Sequence, residues 1–157
     1  MNQAEMERRL QTLEDIEAIK QLKGRYCYYC DAGYDPDGIE SCFAEDAIWE
    51  GGSFGTYRGR EAIREFFVKT APAALSFAMH LVMNPVIEVN GDKGKGQWYI
   101  FEPVTFAEGQ QAGWLAGAYD DDYVKVNGQW KYQHLRFKPY LSTPFNKPWS
   151  NSKFGPE

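Results

Sequence analysis

The 157-residue chain predicts an α+β fold: a cone-shaped α+β barrel, with one long N-terminal helix and two shorter helices packed in a strongly curved antiparallel sheet. Two observations carry this. Apolar residues up to about position 31 recur at three- and four-residue steps, while residues from about 77 onward form long stretches separated by Asn-Gly turns. A third is the aromatic content, 16% of residues, which suits a fold that lines a cavity with rings as well as filling a core.

The first helix is expected over residues 5–31. Leu10, Leu13, Ile16, Ile19, Leu22 and Tyr26 fall on one stripe. Asp-Ala-Gly-Tyr-Asp-Pro-Asp-Gly at 31–38 ends it, and Pro36 suits the first turn of a short second helix through Ile39, Cys42 and Phe43. A short strand at 47–50 and a glycine-rich connection at 51–55 follow. A third helix over 60–70 has Ile63, Phe66 and Phe67 as its apolar side, and Pro72 is expected to close it.

The remainder reads as strands at 77–89, 96–107, 111–126 and 129–141. The first has a predicted interruption at Asn84-Pro85. Asn90-Gly91 and Asn127-Gly128 are hairpin turns, because type I′ geometry needs φ > 0 twice. Pro103, Gly113 and Gly117 suggest bulges or edges. A bent sheet over a long helix leaves an open mouth, a natural pocket for a flat apolar ligand. Residues 1–141 therefore form the domain. Residues 142–157 are a C-terminal tail whose Phe145, Trp149 and Phe154 would cover the cavity mouth or a subunit interface.

Charge narrows the partners. The net charge is −5 with no Lys/Arg run, which argues against nucleic acid or an anionic membrane. No apolar run approaches the ~18 residues of a membrane span, and the polar N-terminus lacks an apolar signal core. A cytoplasmic protein is expected. Three cysteines argue against a disulfide framework, and Cys27-x-x-Cys30 lies late in a helix, so it reads as buried thiols. No metal or other cofactor is expected, since neither histidine has a partner at ligand spacing. Asp120-Asp121-Asp122 reads as a solvated strand face or bulge.

The candidate chemistry rests on Tyr26, Asp31 and His80. His80 is a lone imidazole among apolar neighbours, and the end of the first helix offers Asp31 to orient its ring. A carboxylate fixes the tautomer and stabilises the imidazolium. His134 shares a face with Tyr132, Arg136 and Lys138, and is expected at solvent or a subunit interface. Leu135 and Phe137 occupy the opposite, cavity face. On the strand before, Trp98, Ile100 and Glu102 share a face; if it lines the cavity, Glu102 is a buried carboxylate in need of a partner. Tyr99 and Phe101 then face outward, as at an oligomer interface. Trp49, Trp98, Glu102, Leu135 and Phe137 are the expected substrate contacts.

These residues resemble the nuclear transport factor 2-like superfamily, in its polyketide cyclase-like branch. Asp-Ile-Glu-Ala-Ile-Lys-Gln-Leu-Lys at 15–23 with Tyr26 and Asp31, Met79-His80, Gly96-Gln97-Trp98-Tyr99 and Gly128-Gln129-Trp130 are similar to the bile acid 7α-dehydratases. Gly55-Thr56-Tyr57-Arg58-Gly59 and Thr143-Pro144 are similar to hexachlorocyclohexane dehydrochlorinases, and scytalone dehydratases belong to the same group. The resemblance implies the cone fold, catalytic Tyr26, Asp31 and His80, and a homodimer or homotrimer. It implies a cofactor-independent lyase: a dehydratase-like syn elimination on a small hydrophobic, polycyclic or aromatic alcohol or carbonyl compound, with His80 as base. The same site would serve an isomerase or cyclase, and the scaffold also serves as a non-catalytic binding domain. One departure stands out. Relatives place an arginine on the cavity face of the last strand, whereas here Arg136 points the other way, so a bile acid thioester does not carry over.

Overall fold

A computed structural model describes residues 2–147, 149–150 and 152–154. Three helices pack into a seven-stranded, strongly curled sheet in the order β2-β1-β7-β6-β5-β3, with β4 also paired to β5. The strands are β1 (Phe43–Glu50), β2 (Thr56–Arg58), β3 (Leu75–Ala78), β4 (Leu81–Asn90), β5 (Lys93–Phe106), β6 (Gln111–Val126) and β7 (Gln129–Pro144). The expected α+β cone is present. Among the named strands one pairing is parallel: β1 runs alongside β7.

Helix α1 spans Gln3–Asp31 and is capped by Asn2, whose side chain accepts from the Glu5 N–H. Its buried positions are Asp15, Ile19, Leu22, Lys23, Tyr26, Cys27 and Cys30, one face at helical spacing. Leu10 and Leu13, expected on that stripe, are exposed with Met6. Gly33 and Tyr34, both at positive φ, end the helix and turn the chain into α2 (Pro36–Ser41). Asp35 caps α2 and Pro36 opens it. Phe43, expected in this helix, already belongs to β1.

Helix α3 (Arg60–Ala74) presents Ile63, Phe66, Phe67 and Ala71 to the core. Pro72 does not close it. The helix holds past the proline because the Leu75 N–H still reaches the Ala71 carbonyl. The stretch expected as one strand from 77 to 89 is two. It breaks at Met79-His80, while Asn84-Pro85 forms a bulge with Asn84 at φ 56°. Pro103 explains the break. Ala78 pairs with Val104 and Leu81 with Phe101, so the same register sets Met79 against Pro103 and His80 against Glu102. Met79 donates to the Pro103 carbonyl, but proline has no N–H to return.

The β4–β5 turn is Gly91-Asp92, one residue later than expected, with Gly91 at φ 58° and Asn90 still paired to Lys93. Asn127-Gly128 is the expected turn with both residues at positive φ. Gly117 marks a bulge, where a Cβ would come within 2.3 Å of the Lys138 carbonyl. A second bulge, between Asp122 and Tyr123, shifts the phase of β7, so Tyr132 is buried rather than sharing an outer face with His134. His134 lies on the outer side beside Glu50 and Arg136.

Asp121 departs most from expectation. It is fully buried and binds Lys23 at 2.9 Å. Tyr123 and the Arg136 N–H also donate to it, and the ammonium lies 3.1 Å from the Tyr119 ring centroid. Burial pushes the Asp121 carboxyl up, against these partners. Beyond residue 141, β7 continues to Pro144, Phe145 packs on Trp114, and Ser142 bridges Phe154. Cys27, Cys30 and Cys42 are free buried thiols. Among the described residues no helix is long and apolar enough to cross a membrane.

Candidate active site

The last turn of α1, the β3–β4 break and the middle of β5 meet at His80. Its Nδ1 lies 2.7 Å from Asp31 Oδ1, and its backbone N–H donates to both Asp31 oxygens at 3.1 and 3.2 Å. Its Nε2 lies 2.8 Å from Glu102 Oε1. The register accounts for this. His80 and Glu102 form a cross-strand pair that exchanges no backbone hydrogen bond, the type whose side chains approach closest. The His80 N–H therefore points away from β5, towards the helix end that carries Asp31.

The imidazole is thus held between two carboxylates. Burial pushes it down, but Glu102 and then Asp31 outweigh burial and raise it from 6.5 to about 9. The two carboxylates thus favour the imidazolium form.

A small cavity lies over it, with about 50 Å³ of space for water centres. His80, Glu102 and Tyr26 supply polar groups, and Trp49, Phe54, Phe66, Phe67, Leu115 and Phe137 supply apolar wall. Asp31 is absent from this lining; it works from behind the ring. Tyr26 accepts the Trp49 indole N–H at 3.0 Å. Burial pushes its phenol well above 10, so it keeps its proton as a donor. Trp49 in turn packs on Phe66, with centroids 4.4 Å apart and the rings tilted by 35°.

Of the expected contacts, Trp49, Glu102 and Phe137 line the cavity. Trp98 and Leu135 do not. Trp98 donates to the Tyr123 hydroxyl and lies in the layer around Lys23, one step deeper along the cone. Leu135 is fully buried core. Tyr34, Tyr119 and Leu115 line the site without having been anticipated. The signal for the last two was the period-two alternation of β6, which sets 115 and 119 on the same inward face. The described tail residues line no part of the cavity.

Residues 11–136 match the model of the SnoaL-like domain. The chain belongs to the SnoaL-like family. This SnoaL-like domain is similar in structure to a type 2 hexachlorocyclohexane dehydrochlorinase, at TM-score 0.81 and 24% identity over 87% of this chain and 92% of that one. It is similar to a scytalone dehydratase-like protein of Novosphingobium aromaticivorans, at TM-score 0.75 and 22% identity over 87% and 91%. It is also similar to a nuclear transport factor 2-like protein of Salmonella enterica, at TM-score 0.72 and 20% identity over 78% and 89%. At these identities the likeness is one of fold. It agrees with the nuclear transport factor 2-like cone that the sequence predicts.

Proposed function

We propose that this SnoaL-like protein is a cofactor-independent lyase that eliminates water from a flat, neutral, hydrophobic hydroxy-carbonyl compound. The observation that carries the reading is the 2.7 Å Asp31–His80 pair at the wall of an aromatic cavity that also holds the Tyr26 hydroxyl. Tyr26 donates to the substrate carbonyl. Asp31 orients the imidazole and stabilises its positive charge. His80 is catalytic, but in a different role from the base that the resemblance implies. A protonated ring facing a carboxylate from each nitrogen has no lone pair to accept a proton, so it acts as the acid that protonates the departing hydroxyl.

Neutral substrates follow from the lining. Among the described residues His80 is the one cationic side chain on the wall, and it is already matched by two carboxylates, while Arg136 turns outward to Asp122 at 2.7 Å. The free space is smaller than a ring compound needs, so binding displaces wall rings such as Phe54. The fold relatives support the class of reaction, since dehydrochlorinase and dehydratase both denote eliminations.

The test is turnover of a panel of one- and two-ring β-hydroxy ketones. His80→Ala and Asp31→Asn should each lose on the order of 10²–10⁴-fold. Rates near wild type for both reject the proposal. Isomerisation by the same residues is told apart by the product, which keeps every oxygen.

The outer face of β3–β5 exposes Phe77, Met79, Met83, Val86 and Tyr99, which supports a homodimer or homotrimer. Sedimentation of a Val86→Glu variant as a monomer is the expected result; a wild-type monomer contradicts it.

A further inference from the structure

An elimination needs a base as well as an acid, and the site offers two carboxylates. Asp31 is committed. Its two oxygens take the His80 backbone N–H and Nδ1, and it does not reach the cavity wall. Glu102 differs on each count. It projects from β5 into the cavity between Ile100 and Val104, is 4% exposed, and lines the wall. Among the described residues its one polar contact is His80 Nε2. Among the described residues no backbone amide holds it, as the His80 N–H holds Asp31.

Resting on the elimination reading above, we propose that Glu102 is the catalytic base. A Glu102 oxygen takes the proton from the substrate carbon next to the carbonyl. The C–H electron pair becomes the new C=C bond through an enolate held by the Tyr26 O–H. The C–O bond then breaks with its electron pair, and the hydroxyl leaves as water with the Nε2 proton of His80. Glu102 is now a neutral acid and His80 a neutral imidazole. Transfer of one proton across their 2.8 Å contact restores the starting pair with no outside acid or base. Because base and acid are neighbours on one wall, they reach only a hydrogen and a hydroxyl on the same face of adjacent carbons. The elimination is syn.

The first half-reaction can be read without the true substrate. The full-length protein is incubated in deuterated water with cyclohexanone, 1-indanone and 2-tetralone, and deuterium uptake next to the carbonyl is followed by proton NMR. Wild type should exchange at least one ketone above the buffer rate. Glu102→Gln should lose that exchange by ~10²-fold or more, and Glu102→Asp should restore part of it, with near-ultraviolet circular dichroism reporting intact packing. His80→Gln, which removes the acid of the later C–O step, should lower exchange less than Glu102→Gln does. Absence of wild-type exchange, or Glu102→Gln at the wild-type rate while His80→Gln is inactive, overturns the assignment. Failure of the elimination reading looks different: exchange follows this pattern, yet no hydroxy ketone loses water.

Discussion

The Trp49 indole N–H donates to the Tyr26 hydroxyl at 3.0 Å, deep in the cone, and thereby decides what the tyrosine can do. With an acceptor site on the phenol oxygen filled, the O–H is left to donate. Gly51 keeps Trp49 in place, since a Cβ there would come within 2.2 Å of the indole.

Trp49→Phe should therefore keep the packing but lower turnover ~10-fold, and Tyr26→Phe should lower it ~10–100-fold, as expected when one hydrogen bond to a developing oxyanion is weakened or lost. Steady-state rates on any turned-over hydroxy ketone check both. Full activity of Tyr26→Phe removes the tyrosine from the site.

Lys23 and Asp121 stand under the cavity as a fully buried ion pair. Lys23→Met should destabilise by about 3–5 kcal/mol, because it leaves the Asp121 charge unpaired. Lys23→Met with Asp121→Asn should cost less than the two single changes summed, by at least about 1 kcal/mol, since the residues touch. Urea denaturation of the four proteins gives the cycle; additive losses contradict the coupling.

Stability should also report the proton on His80. Its folded-state value of about 9 lies above the ordinary 6.5, so the stabilisation is complete below pH 6.5 and is lost as pH rises through 9. The melting temperature of wild type should fall towards that of His80→Gln between pH 7 and 9.5. Parallel curves contradict the shift. The buried tyrosines are common to both proteins and cancel.

Phe54 sits in the turn at the mouth, between Gly52 and Gly55, both at positive φ. Phe54→Ala should widen the cavity and raise kcat/KM for two-ring compounds relative to one-ring compounds by ~10-fold, with little loss of stability because the ring is only half-buried. An unchanged ratio places the entrance elsewhere.

Much of this site was legible because its residues sit in local patterns. Tyr26 and Asp31 ride one helix end, and Glu102 follows from the alternation of β5. The contact between His80 and Glu102 was not legible. It depends on a register fixed across a strand break, and the break reflects the missing N–H of Pro103, which the sequence placed only as a bulge or edge. Asp121 was misread for a related reason. Three adjacent aspartates look like a solvated run, yet β6 alternation turns the middle one inward, onto a lysine 98 positions earlier. Leu10 and Leu13 fit the helical period, but period alone does not say which turns are covered.

The clamp on His80 underlies both catalytic assignments, and it can be read directly. A nitrogen-15 NMR titration of the two imidazoles, assigned with His80→Gln, should place His80 near 9 in the free protein and bring it towards 6.5 in Glu102→Gln. A wild-type His80 that titrates near 6.5, unmoved by the substitution, would leave the ring neutral at its working pH and contradict the account.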